Sequence, residues 1–129
     1  MDSDHVDHQR AREWLESEIG HGWASCAITQ IGFVRILGQP HYPSPVSTSR
    51  ALDLLARATH TEHHEFWPCS VSLTGEHTVD GTRLHGPRQV TDAYLLALAT
   101  AHDGRFVTFD RSISLTAVPG ATEANLTIL

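Results

Sequence analysis

The chain contains no lysine; all nine of its basic residues are arginine. A P-loop nucleotide site would therefore lack the lysine that reaches the phosphates, and a pyridoxal Schiff base would have no amine to form on. A lysine-dependent receiver domain cannot be assembled around Asp110 for the same reason. Cysteine is scarce too: Cys26 and Cys69 are the only two, too few for a disulfide framework and without metal-type spacing. Both are expected to be buried thiols on core strands. No apolar run approaches the roughly 20 residues of a bilayer span, and the first residues are acidic and polar where a secretory signal would be basic and then apolar. A cytoplasmic location is the expectation. The formal net charge of −6 counts against a free, high-affinity nucleic-acid binder, because neutralising phosphates favours a basic surface.

What is present is enough for one compact domain over residues 1–129, with 40% hydrophobic residues to build a single core. The spacing of Ala11, Trp14, Leu15 and Ile19 predicts a first helix from His5 to about Ile19, stopping at Gly20. Trp23 to Ile28 reads as a short buried strand, after which Thr29 caps a helix that runs to about Leu37 and carries Gln30 in its first turn. In that helix Arg35 reads as buried and structural. Gly38 to Pro45 is a loop, and Ser47-Thr48-Ser49 starts a helix with Leu52, Leu55, Ala56 and Thr59 on its inner side. Phe66 to Cys69 reads as an edge strand because Pro68 cannot donate to a ladder. A polar connection follows up to Gly86, and Asn125–Leu129 closes the chain as a last strand. Helices alternating with short strands predict an α/β fold with a mostly parallel sheet.

The most informative stretch is Gly86 to Arg111. Thr91 is placed to cap the turn that carries Asp92, YLLALA takes the helix inward, Asp103-Gly104 makes a tight turn, and Phe106–Phe109 forms a strand with Asp110 at its end. In open parallel sheets, ligands gather beyond the carboxyl ends of the strands. Asp92 and Asp110 are thus candidates to converge on one metal site. Read from spacing alone, a helix-start charge for Asp92 and a turn cap for Asp110 fit equally well.

Thr91-Asp92-Ala93-Tyr94-Leu95 and Val107-Thr108-Phe109-Asp110-Arg111 together resemble the PIN-domain ribonucleases, specifically the VapC-type toxins of bacterial toxin–antitoxin pairs. The resemblance extends upstream through His5-x-x-His8, Trp14-Leu15, Trp23-Ala24, Ile28-Thr29 and Gly32-Phe33-Val34-Arg35. It implies a PIN-like three-layer α/β/α sandwich and a Mg²⁺-dependent endoribonuclease (Mn²⁺ as a substitute) acting on structured RNA. It also implies a VapB-like antitoxin partner, a homodimer, and Asp92 and Asp110 as metal ligands. Arg88 and Arg111 are candidates for phosphate contact at the rim, or for pairing with the aspartates.

Two departures stand out. Relatives begin with an apolar strand ending in Asp-x-Asn, and this chain starts after that point. The first central strand and its carboxylate are therefore expected to lie outside it, with loss of stability and activity relative to an extended form. Asp2 and Asp4 read as caps of the first helix. Where many relatives have Glu, this chain has Gln30, a weaker and uncharged oxygen donor to the pocket. A catalytically impaired PIN-like domain that retains antitoxin binding is the alternative. The ten histidines suggest zinc, but His5, His8, His60, His63 and His64 have no Cys pair or His-Glu-x-x-His motif to anchor a closed site, so the loop histidines read as solvated. Gly20-His21-Gly22 mimics a dinucleotide fingerprint but ends a helix and precedes a strand, the reverse of the required order.

Overall fold

A computed structural model describes Arg10, Glu13, Trp14 and residues 16–40 and 44–129. Asp2, Asp4, His5 and His8 lie outside these. The chain divides into two compact units, one comprising Ser70–Leu129 with Arg10 and the other lying within Arg12–Cys69. Both are α/β with parallel strands, as the resemblance implies. The strands are short, three residues each in two parallel pairs, and these pairs represent the expected sheet among the described residues.

In the unit within Arg12–Cys69, Glu13, Trp14 and residues 16–18 are helical, and a 3-10 turn follows at Ile19–His21. The stop comes at Gly22, two residues beyond the expected Gly20. Its φ of 95° is a left-handed conformation that glycine adopts without a Cβ penalty. β1 (Trp23–Ser25) pairs with β2 (His64–Phe66), Trp23 opposite His64 and Ser25 opposite Phe66. The second strand therefore begins earlier than Phe66 and ends there. Trp67 N–H still donates to Ser25 O at 2.8 Å, and Pro68 lies past the ladder. The strand position is set by its partner rather than by local composition.

Helix α1 (Ala27–Leu37) starts from Cys26, which is buried at the N-cap. Thr29 sits inside the first turn, where its Oγ1 accepts from Cys26 N–H at 2.9 Å, so it supports the cap from position N3. Cys69 and Arg35 are exposed, against the expectation of burial. Helix α2 (Thr48–Thr59) is capped by Ser47, whose hydroxyl accepts from Arg50 N–H at 3.1 Å. Its inner face carries Ala51, Leu54, Leu55 and Ala58; Leu52 is 52% exposed and Ala56 is also outside, so the helix is rotated from the expected phase.

The other unit is organised around α3 (Val90–Ala101), whose Ala93, Tyr94, Leu96, Ala97, Leu98 and Ala99 are all buried. Leu96, Ala97, Ile113 and Val118 form the core, with Phe106, Leu115 and Leu126 packed against it. The Tyr94 hydroxyl donates to Val71 O at 2.7 Å and ties the long connection to the helix. The expected tight turn is a Schellman motif: Gly104 N–H donates to Ala99 O at 2.7 Å and Asp103 N–H to Thr100 O at 3.1 Å. Asp103, not Gly104, takes the left-handed conformation, with φ 54°. β3 (Phe106–Thr108) then pairs in parallel with β4 (Leu126–Ile128). Asn125 Nδ2 donates to Gly104 O at 2.8 Å and links the two strand entries.

Leu96 has no exposed surface, so Leu96→Ala leaves a cavity and is expected to cost about 2–5 kcal/mol in urea unfolding. Leu52→Ala, on the exposed side of α2, should cost less than about 1 kcal/mol. A reversal of that order would contradict the assigned core.

Candidate metal centre

Asp92 and Asp110 come together. Asp92 lies in the first turn of α3, where the helix dipole favours a negative charge, and it is held in place because Ala93 and Tyr94 beside it are buried. Thr91, expected as the cap, is instead inside the helix and exposed; a 3-10 turn at Pro87–Gln89 leads into Val90 and supplies the entry. Asp110 follows β3 by two residues. Its N–H donates to Thr108 Oγ1 at 3.0 Å, and its Oδ1 accepts from Ser112 N–H at 2.8 Å and Ser112 Oγ–H at 2.6 Å. The turn-cap role considered for Asp110 is therefore real, and it coexists with the pairing to Asp92.

The two carboxyl groups lie close enough for each to perturb the other's ionisation, and their surroundings push them in opposite directions. Partial burial pushes the Asp92 carboxyl above the ordinary aspartate range, and the neighbouring Asp110 carboxylate pushes it the same way. The hydroxyl and N–H of Ser112 hold exposed Asp110 below that range. Asp92 is thus the more readily protonated of the two and Asp110 the more readily ionised.

Arg88 and Arg111 are both exposed, and among the described residues neither forms an ion pair with Asp92 or Asp110. The Arg10 guanidinium lies 5.9 Å over the ring of Phe109, the residue before Asp110. Gln30 belongs to the other unit, where its Nε2 donates to Ser25 Oγ at 3.0 Å. Ser25 Oγ is also 2.8 Å from His64 Nε2, and the His64 ring packs on Trp23. His64 is therefore an internal partner of β1 and not a solvated loop residue. Ser112 was missed in the sequence, although Asp-x-Ser is a recognisable side-chain turn pattern.

Among the described residues no three His, Cys, Asp or Glu side chains converge on a metal-sized gap, so the carboxyl pair is judged as a pair. A hard cation such as Mg²⁺ takes oxygen donors, keeps several waters, and is often held by one or two carboxylates plus substrate phosphates. Two adjacent carboxyl groups, with like charges that repel when both are ionised, fit that requirement.

The PIN-domain family model matches residues 1–119. The chain belongs to the PIN-domain family, and to its VapC type. Ribonuclease VapC44 of Mycobacterium tuberculosis is 67% identical to this PIN domain over 129 residues, covering 100% of the chain and 91% of the relative. Ribonuclease VapC29 of the same organism is 38% identical over 112 residues, covering 87% and 78%. Ribonuclease VapC39 is 37% identical over 121 residues, covering 92% and 86%. No solved structure gives a significant match.

The opposite shifts of the two aspartates give opposite pH dependences. Asp92, raised when folded, binds more protons in the native state than in the unfolded chain, so its contribution falls as pH rises from roughly 3.9 through the raised value. Asp110, lowered when folded, contributes stability that is complete above roughly 3.9 and is lost as pH falls through its lowered value. Asp92→Asn should therefore raise the metal-free melting temperature at neutral pH, and only modestly because solvent screens this partly exposed group. It should also remove the decline above roughly pH 4. A lower melting temperature at neutral pH in this variant would contradict the pairing.

Proposed function

We propose that this chain is the toxin of a type II toxin–antitoxin pair, a VapC-type endoribonuclease that cleaves structured RNA with Mg²⁺, or Mn²⁺ in its place. The single observation that carries the reading is that Asp92, at a helix start, and Asp110, just past a strand end, come close enough to perturb each other's ionisation. The single-domain reading of residues 1–129 belongs to this proposal, as do a VapB-like antitoxin, a homodimer and a cytoplasmic site of action. No helix among the described residues is long and apolar enough to cross a membrane.

Asp92 and Asp110 would hold the cation. Once bound, it supplies the positive charge that polarises a phosphoryl oxygen and eases deprotonation of the attacking water. The chain's own part is positional. α3 presents Asp92 from a rigid, buried helix, and Ser112 fixes one oxygen of Asp110. Arg88 and Arg111, exposed and without carboxylate partners at the pair, are free to take RNA phosphates at the rim. The net charge of −6 makes those few arginines important for RNA and suits a basic antitoxin segment.

Asp92→Asn and Asp110→Asn should each slow Mg²⁺-dependent cleavage of a structured RNA such as transfer RNA by about 100-fold or more, since each weakens the hold on the cation that would stabilise charge at the reacting phosphate. Undiminished turnover in either variant would sink the assignment. Arg88→Ala should weaken RNA binding and reduce the slope of log affinity against log salt by about one counterion. An unchanged slope would exclude Arg88 from phosphate contact.

A further inference from the structure

Gln89 links the two elements that carry the aspartates. It stands three residues before Asp92, so it shares the same face at the entry to α3. Its Oε1 accepts from His85 N–H at 2.8 Å, and its Nε2 donates to Ser112 O at 3.1 Å across 23 residues of chain. Ser112 in turn donates both its N–H and its hydroxyl to Asp110 Oδ1. The side chain is thus held at both ends, and the route Gln89–Ser112–Asp110 closes on Asp92 through the carboxyl pair.

We infer that Gln89 is a positioning residue of the cation site: acting through Ser112, it sets the placement of the Asp110 carboxyl relative to Asp92. This rests on the proposed cation-binding role of the pair. The physical reason is the mismatch of supports. Asp92 is fixed by a packed helix, whereas Asp110 sits on an exposed turn beyond a three-residue strand. Like charges in contact push such a turn outward, and the hydrogen bond from Gln89 to Ser112 O opposes that movement. Neither backbone pairing of β3 nor the core reaches residue 110 directly. An amide is suited to the task because it donates at one end and accepts at the other.

The test is Mn²⁺ affinity of the otherwise intact chain, read from the ion's paramagnetic signal, alongside the metal-free melting temperature. Gln89→Met and Ser112→Ala should each weaken Mn²⁺ binding by about tenfold, the size expected when a partner that orients a ligand is lost. The Gln89→Met/Ser112→Ala double variant should be weaker than Ser112→Ala alone, because Ser112→Ala removes only the hydroxyl and leaves both the carbonyl that Gln89 holds and the N–H that reaches Asp110. Ser112→Thr, which keeps the hydroxyl and N–H, should bind like the unsubstituted chain. Asp92→Asn should lose binding altogether. Wild-type affinity in Gln89→Met, with Asp92→Asn inactive in binding, would overturn the positioning role while leaving the cation pair intact. A double variant no weaker than Ser112→Ala alone would overturn the route through the Ser112 main chain. Undiminished affinity in Asp92→Asn would overturn the cation pair and the positioning role with it.

Discussion

Two neighbouring carboxyl groups repel as soon as both are ionised, and the unit that contains Asp92 and Asp110 is built to keep them together regardless. Asp92 is fixed from behind by α3, whose alanine- and leucine-rich face is packed into the core formed with Ile113 and Val118. Asp110 is fixed from the side, by Thr108 at its backbone and Ser112 at its carboxylate. The neighbouring Asp110 charge adds to burial in pushing the Asp92 carboxyl up, and a bound cation would relieve that repulsion. Site and core are consequently linked: the residues that bury α3 also set where Asp92 stands.

The same constraint gives sense to the charge composition. An acidic chain with no lysine has few cations to place, and the arginines nearest the pair in sequence, Arg88 and Arg111, are exposed and form no ion pair with it. Arg10 adds a guanidinium over Phe109, next to Asp110. Guanidinium groups suit this arrangement because they recognise phosphate bidentately and stay ionised beside acidic groups. In the proposed function, an acidic centre with an arginine rim would separate the two tasks of holding a cation and drawing in a polyanion.

The parts of this design that could be read in the sequence are those encoded locally. The run from Thr91 to Arg111 carries helix, turn, strand and both aspartates within one stretch, so the core helix and the carboxyl pair were legible together. The Asp103-Gly104 turn was legible as a turn, although the left-handed residue is Asp103 and the glycine supplies only the closing N–H. What depended on distant partners was not. β2 begins at polar His64 and Glu65 because β1 lies beside it, and no local pattern announces that register. The phase of α2 was misjudged because its most buried residue is Ala51, a small side chain that contributes little to an apolar pattern, while the larger Leu52 faces out. Gln89 was invisible for the same reason: its partner at Ser112 is brought near only by folding.

The most direct test of the cation centre is an anomalous diffraction map from crystals soaked in Mn²⁺. A single strong peak between the carboxyl groups of Asp92 and Asp110, with Asp110 still bonded to Ser112, is the result this account predicts. A map with no peak between the two aspartates, or with the ion held elsewhere, such as at His60 and His63, would contradict it.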